Sequence, residues 1–388
     1  MKVLRGIVVI LLFCLIVSCL AITIVPHFLD RLYYRGSVTA HYDGQHFANP
    51  DGDDDTIRSP TGGSRGNFIL RYLTGSDGRP PWPDHVAIHP VAPPARVAGE
   101  AMTVTWVGHA SVLIQTQGLN ILTDPVWSDT AGPLGIGPRR VAAPGIAFDQ
   151  LPKIDLVLVS HDHYDHMDLA TLKRLWLRDR PLIVTSLGND SVIGQVGVPA
   201  RALEWGGHVA VKPGVEVIVT RNHHWGSRTG TDRDRALWSS FVIRLPGGNV
   251  FFAGDTGFGD GKWPGEAAAY GPIRFAMIPI GAFRFTPGQM AIGSHIGPVD
   301  AVEVYRRLGA SRAMGIHWGT FRLSYEAYDT PPRLLAAAMA CTAQTGFGTV
   351  PLGRPFSVAP YIAPTRSAPM PREALLRCLD TPAVRALR

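Results

Sequence analysis

The sequence by itself predicts a mixed fold, α/β or α+β, and three observations carry that reading. Short apolar runs rich in β-branched residues come first and in clusters. Helical runs intervene later. Several of the apolar runs end on His or Asp, the pattern of strands delivering side chains to one rim. At 388 residues the chain can hold one large domain or two smaller ones, and a hydrophobic content of 46% is ample for a core. Gly 42 and Pro 32 imply many turns and long loops.

Taken in order, Lys2 and Arg5 precede Gly6 to Val25, 20 residues without a charge. As a helix that length spans a ~30 Å hydrocarbon core. A cleaved signal peptide and a lipoprotein signal ending at Cys19 are the alternatives. The apolar stretch exceeds the ~7–15 residues of a signal peptide and no Ala-x-Ala follows, so an uncleaved signal anchor is expected. Lys2 and Arg5 put the amino terminus inside and the domain on the non-cytoplasmic side, with Arg31 and Arg35 competing. Phe28, Leu29, Tyr33 and Tyr34 beside those arginines read as an interfacial collar, closing an anchor segment 1–35. Residues 36–100 form an irregular arm, packed at His46-Phe47-Ala48-Asn49-Pro50 and Pro-rich from 78. Within it, Asp51-Gly52-Asp53-Asp54-Asp55 is a solvated loop; the spacing and terminal Glu of an EF-hand are missing.

The catalytic domain is expected over 101–352. Strand-like runs are 102–107, 111–116, 119–123, 154–160, 181–185, 215–219, 237–245, 249–254, 275–280 and 312–316; helical runs are 168–178, 188–196, 298–308 and 331–343. The first helix is marked by Leu169, Leu172, Leu175 and Trp176 on one face. Residues 353–388 are Pro- and Arg-rich with weak patterning, a C-terminal extension ending in a short helix or a loose tail.

Chemistry concentrates in His161-Asp162-His163-Tyr164-Asp165-His166, between the apolar run 154–160 and that first helix. Imidazole nitrogen and carboxylate oxygen are the donors that zinc and similar metals take. A polar loop without metal is the plain alternative. Later strands argue against it: 249–254 runs into Asp255, 312–316 into His317, and 215–219 is followed by His223 and His224. One strand ending in a ligand is chance; four suggest one constellation. The four cysteines take no part: Cys14 and Cys19 lie in the anchor, and Cys341 and Cys378 are isolated, able to pair but not required to. The net charge of +6 is spread thinly over arginines with no lysine block, and an anionic lipid surface or phosphate substrate explains it as well as nucleic acid does; the missing basic-aromatic arm and the anchor speak against nucleic acid.

These motifs resemble the metallo-β-lactamase-fold hydrolases, and among them the subgroup of N-acylphosphatidylethanolamine phospholipase D and the ascorbate-6-phosphate lactonases. The matching residues are Thr105 to Ser111, Leu122-Thr123-Asp124-Pro125, Gly137-Pro138-Arg139-Arg140, the six-residue cluster, His224-Trp225 with Arg228, Leu237-Trp238, Gly254-Asp255-Thr256-Gly257 and Ile316 to Phe321. The last of these, with His295, looks more like the phospholipase D branch. The resemblance covers roughly 101 to 330. It implies an α+β fold, the αββα four-layer sandwich, and two Zn2+, with iron or manganese able to take such sites. His161, His163 and a distant His would hold one metal and Asp165, His166 and His317 the other. Asp255 would bridge them, leaving an open position for water, whose pKa two metals ~3.5–4 Å apart would lower. The family pattern sets the distant ligand before an aromatic residue, which selects His224 and leaves His223 behind it. Asp124 is expected to orient a ligand histidine, against an ordinary turn role. His109 is expected to support the site or bind substrate, and His295 to face the leaving group; the bland readings are a core-edge and a helix-entry histidine. Arg139, Arg140 and Arg228 are expected to meet phosphate. The reaction implied is hydrolysis of a phosphodiester, a phospholipid or a small soluble one, with Asp255, Asp165 and His295 as the catalytic side chains. A lactonase acting on a small substrate and a non-catalytic membrane-anchored binding protein are the alternatives.

Overall fold

The computed structural model describes residues 2–29, 33–52, 78–229, 231–286, 288–365 and 368–387. Two seven-stranded sheets form the centre. The first holds β1 (Met102–Gly108), β2 (Ser111–Thr116), β3 (Leu119–Thr123), β4 (Leu156–Val159), β5 (Leu182–Ser186) and β6 (Arg201–Leu203), with β14 (Phe356–Ser357) beyond β1. The second runs β13 (Phe347–Gly348), β12 (Arg312–Ile316), β11 (Ile273–Pro279), β10 (Asn249–Phe252), β9 (Ser240–Arg244), β8 (Val215–Thr220) and β7 (His208–Lys212).

Alternation along the strands builds the layers. Leu156 and Leu158 of β4 join Phe252, Phe275, Met277 and Ile316 in the core between the sheets. Val157 and Val159, pointing the other way, pack with Leu172 and Leu175 of α2 (Leu169–Asp179) and Val192 and Ile193 of α3 (Asn189–Gly194). On the far side Phe251, Ala276 and Ile278 meet α4 (Trp263–Ala268), α5 (Pro298–Leu308) and α6 (Thr330–Cys341). Each fully buried Leu or Phe contributes roughly 1.5–3 kcal/mol, so the expected αββα sandwich is held by three apolar seams.

Strand direction fixes where the site lies. β1, β2 and β3 alternate while β3, β4 and β5 are parallel, so β1, β3 and β4 end at one edge. β8, β9 and β10 alternate while β10, β11 and β12 are parallel, so β8, β10 and β12 also end together. Every proposed ligand follows one of these ends.

The flanking segments keep some of their expected forms and depart from others. Helix α1 (Lys2–Leu29) is exposed from Lys2 to Ala21 and long and apolar enough to cross a membrane, a test that a signal sequence also passes. Tyr33 and Tyr34 are not free for an interfacial collar: Tyr33 is buried and donates to Asp232 at 2.7 Å, and Tyr34 packs edge-on to Tyr42; Arg31 lies outside the described residues. The arm packs at Phe47 and Asn49 as expected; Asp53 to Asp55 lie outside the described residues. Beyond residue 352 the chain returns to the domain. β14 pairs with β1, and Cys378 of α7 (Arg372–Leu379) is disulfide-bonded to Cys341 at the end of α6. Strand β7 escaped the periodic reading because it is a half-exposed edge strand.

Candidate metal centre

The ligand loop is fixed at both ends. Strand β4 delivers Ser160, and Asp168 caps α2 by accepting from the Ala170 and Thr171 amides, a cap worth about 1 kcal/mol. Between them His161 Nε2 and His163 Nδ1 converge to 2.8 Å, and His224 Nε2 joins them within 4.8 Å. Asp165, His166 and His317 form a second group, with His109 beside it. Asp255 stands between the two. Its Oδ2 lies 3.0 Å from His166 Nε2, 2.9 Å from His317 Nε2 and 3.8 Å from His295 Nδ1, and it groups with His161 and with His224. The structure therefore gathers the seven expected ligands and His295 on one rim.

Close approach of the Asp255 turn needs glycine. A Cβ on Gly254 would stand 2.7 Å from Ser160 Cβ, and one on Gly257 would collide with the Gly293 carbonyl. Backbone strain marks the same rim: His109, Asp124 and His317 hold positive φ of 52°, 30° and 63°. Such conformations cost of order 1–3 kcal/mol each and persist where surrounding contacts over-determine them.

Outer contacts orient the rings. Asp124, fully buried, accepts from Ser160 N at 2.7 Å, Ser160 Oγ at 2.6 Å and His166 Nδ1 at 2.6 Å. That leaves His166 Nε2 for the centre, the arrangement expected of a metal-bound histidine. His224 Nδ1 donates to the Ser294 carbonyl at 2.9 Å, turning its Nε2 inward. His223 faces elsewhere, its Nδ1 3.1 Å from the Asp51 carboxylate. His109 Nε2 donates to Asp165 at 2.9 Å, so it braces a ligand.

Electrostatics favour cation binding. Burial pushes carboxyls up, but His166 and His317 outweigh it and hold Asp255 well below the usual carboxylate range. Burial lowers His317, yet Asp255 and Asp165 lift it to about 9. Burial, reinforced by neighbouring imidazoles, keeps His161 and His224 well below 6.5, in the neutral form a metal takes. His224 Nε2, His295 Nδ1 and Asp255 Oδ1 are buried without a hydrogen-bond partner among the described residues. His166 Nε2 and His317 Nε2 are near Asp255 but out of hydrogen-bond alignment with it. An unsatisfied buried polar atom costs ~1–3 kcal/mol. So many sharing one small volume fit a cationic ligand bound by imidazole and carboxylate, and the donor set suits zinc or a similar metal.

Two arginines expected to meet phosphate have structural partners instead. Arg140 donates to the Ser128 and Val126 carbonyls and is half-buried, burial lowering it to about 10. Arg228 donates to the carbonyls of Asp162 and Met167 and covers the Tyr164 ring, bracing the ligand loop. Arg139 is exposed. Sequence reasoning missed Asn49, whose Nδ2 donates to the His224 carbonyl at 2.8 Å while its Oδ1 accepts from Trp238 Nε1 at 3.0 Å. It named Trp225 only as a motif residue and gave it no contact; the ring lies edge-on to His163 at 4.3 Å between centroids. Only the apolar context around Asn49 hinted at burial.

Comparison with known proteins agrees with this geometry. A sequence model of the β-lactamase superfamily domain matches residues 119–318. An N-acyl-phosphatidylethanolamine-hydrolyzing phospholipase D of Caenorhabditis elegans is 34% identical over 264 residues, covering 64% of this chain and 74% of that protein. A metal-dependent hydrolase of Pyrobaculum neutrophilum is 30% identical over 227 residues, covering 57% and 86%. Among solved structures, the metallo hydrolase Igni18 of Ignicoccus hospitalis shares the fold with a TM-score of 0.50 and 20% identity, covering 67% of this chain and 99% of that one.

Proposed function

This chain belongs to the β-lactamase superfamily, as one of its metal-dependent hydrolases, and we propose that it is a dizinc phosphodiesterase. Its substrate is a membrane phospholipid of the N-acylphosphatidylethanolamine type, cleaved on the head-group side as a phospholipase D does. The observation that carries the reading is Asp255, a buried carboxylate standing between two three-residue ligand groups. The phospholipid substrate draws its support from the 34% identical relative.

His161, His163 and His224 would hold one ion, Asp165, His166 and His317 the other, with Asp255 shared. When bound, two divalent ions supply Lewis acidity toward a phosphoryl oxygen and acidify water at neutral pH. The protein's own residues do the positioning. Asp124 fixes the His166 tautomer and the Ser294 carbonyl that of His224. Asp165 is held by His109 and would orient the attacking water. Hydrolysis joins the water oxygen to phosphorus and releases the head-group alcohol, whose oxygen takes up a proton. His295 would face that oxygen: its Nδ1 has no hydrogen-bond partner among the described residues, and burial lowers its pKa to about 4, so it would act as a neutral hydrogen-bonding imidazole.

Helix α1 serves as a single-pass anchor with the domain on the non-cytoplasmic side. Lys2 and Arg5 before the span support that orientation, as does the Cys341–Cys378 bridge, since disulfides persist in oxidising compartments. The test is turnover by zinc-loaded full-length protein against phosphodiesters, lactones and phospholipids. N-acylphosphatidylethanolamine is expected to be the preferred substrate, with loss of turnover on chelation and in Asp255→Ala. A preference for lactones would replace this reading.

A further inference from the structure

One loop beside the metal centre is built against the usual rules for a surface. Residues 131–138 make a hairpin, closed by Ala131 N donating to the Pro138 carbonyl and by pairing of Thr130 with Arg139. Its tip, Pro133-Leu134-Gly135-Ile136-Gly137, carries no polar side chain. Leu134 is 98% exposed, the highest value among the large hydrophobic residues described, and Ile136 is 67% exposed. Leu134 also sits in the left-handed region, at φ 53° and ψ 26°, where glycine or asparagine would be at ease. Neither folding nor solubility asks for a leucine there.

Behind the tip lies a cleft of about 450 Å³ whose lining includes Arg79, Trp82, Asp84, Arg139, Arg140 and Arg322. Four guanidinium groups face one carboxylate. Arg140 donates to the Ser128 and Val126 carbonyls, Arg79 to that of Arg322 and Arg322 to that of Pro80, so these three contribute mainly charge, and Arg139 is the exposed guanidinium of the four. Packed side chains link the cleft to the site: Arg140 pairs with Phe321, the Phe321 ring packs on His109 at 5.3 Å, and His109 bonds Asp165. An apolar tip followed by clustered arginines, on the rim of a lipid-hydrolysing site, complements a bilayer with anionic head groups.

We propose that the 131–138 hairpin is a membrane-docking tip: Leu134 and Ile136 enter the acyl region of an anionic phospholipid bilayer, and the arginine cleft receives lipid phosphate. The tip holds the metal centre against the surface, a task distinct from tethering by α1. This inference rests on the phospholipid reading only in taking a bilayer as the workplace.

The test uses full-length protein reconstituted in liposomes. Cys14 and Cys19 are replaced by Ser, and a fluorophore is placed at Leu134→Cys, at Ile136→Cys or, as a control, at Leu177→Cys, which is 63% exposed on α2. Lipid-borne quenchers in phosphatidylglycerol-containing vesicles are expected to quench labels at 134 and 136 and to spare the label at 177. Arg139→Glu changes the charge by two; at about fivefold per charge it should lower the docking equilibrium roughly 30-fold. Millimolar inorganic phosphate should leave quenching unchanged. Equal quenching at all three positions, or none at 134 and 136, would overturn the proposal. So would shielding of 134 from both lipid-borne and aqueous quenchers, which would mean that a second protein copy covers the tip. Hydrolysis of N-acylphosphatidylethanolamine is measured on the same preparations. Quenching without hydrolysis defeats the phospholipid function and leaves the docking tip; hydrolysis without quenching does the reverse.

Discussion

Replacing Asp124 by Asn removes no bulk and exposes nothing, yet it is expected to weaken metal binding strongly. The carboxylate is fully buried and accepts three hydrogen bonds, from Ser160 N, Ser160 Oγ and His166 Nδ1. An amide keeps one accepting oxygen and turns the other position into a donor. With the NH2 toward His166, Nδ1 must accept and the ring proton moves to Nε2, the atom that should face the metal. With the NH2 toward Ser160, two N–H donors meet across 2.7 Å. Either way a buried group loses its partner, which costs ~1–3 kcal/mol of stability. Loss of such an outer contact typically lowers metal affinity by ~10–100-fold, or about 1.4–2.7 kcal/mol. Competition against a chromophoric chelator reads the affinity, and circular dichroism checks the fold. Unchanged affinity in a folded Asp124→Asn protein would refute the role assigned to this carboxylate.

Other outcomes follow from the same contacts. His224→Ala should cost far more metal affinity and turnover than His223→Ala, because only His224 faces the ligand group; the reverse order in a metal titration would show that the pair is misassigned. Asn49→Ala should cost ~1–3 kcal/mol in thermal unfolding by leaving Trp238 Nε1 and the His224 carbonyl without their partner, and should loosen metal binding; wild-type values for both would contradict the clamp. In chelated protein His317 is held near 9, above its ordinary 6.5. The stability this contributes is fully present below about 6.5 and is lost as pH rises through about 9. Denaturant melts of apo protein should therefore weaken across that window, and the weakening should shrink in His317→Gln without vanishing, because, against burial, Asp255 and Asp165 also raise His166.

The cluster was legible because each of its residues follows an apolar strand, and strands of one direction must deliver their carboxyl ends to one edge. That His161, His163, Asp165, His166, Asp255 and His317 belong to one constellation needed nothing more; their division into two metal sites came from the family resemblance. His224 was separable from His223 only through the family pattern, since adjacent residues share the same local context. Two of the three arginines found other partners for a physical reason: a guanidinium looks the same in sequence whether it meets phosphate or, as in Arg140 and Arg228, a backbone carbonyl. Asn49 and Asp51 lie more than 170 residues from the histidines they touch, and no local pattern announces so distant a clamp. The bridge between Cys341 and Cys378 depends on α7 folding back on α6, which weak patterning after Gly353 did not foretell.

The central claim is a dinuclear centre built wholly from His and Asp. Metal-specific anomalous diffraction from crystals of zinc-loaded protein tests it most directly. Two peaks per chain are predicted, one among His161, His163 and His224, the other among Asp165, His166 and His317, with Asp255 adjoining both. A single peak, or a metal bound away from Asp255, would contradict the account.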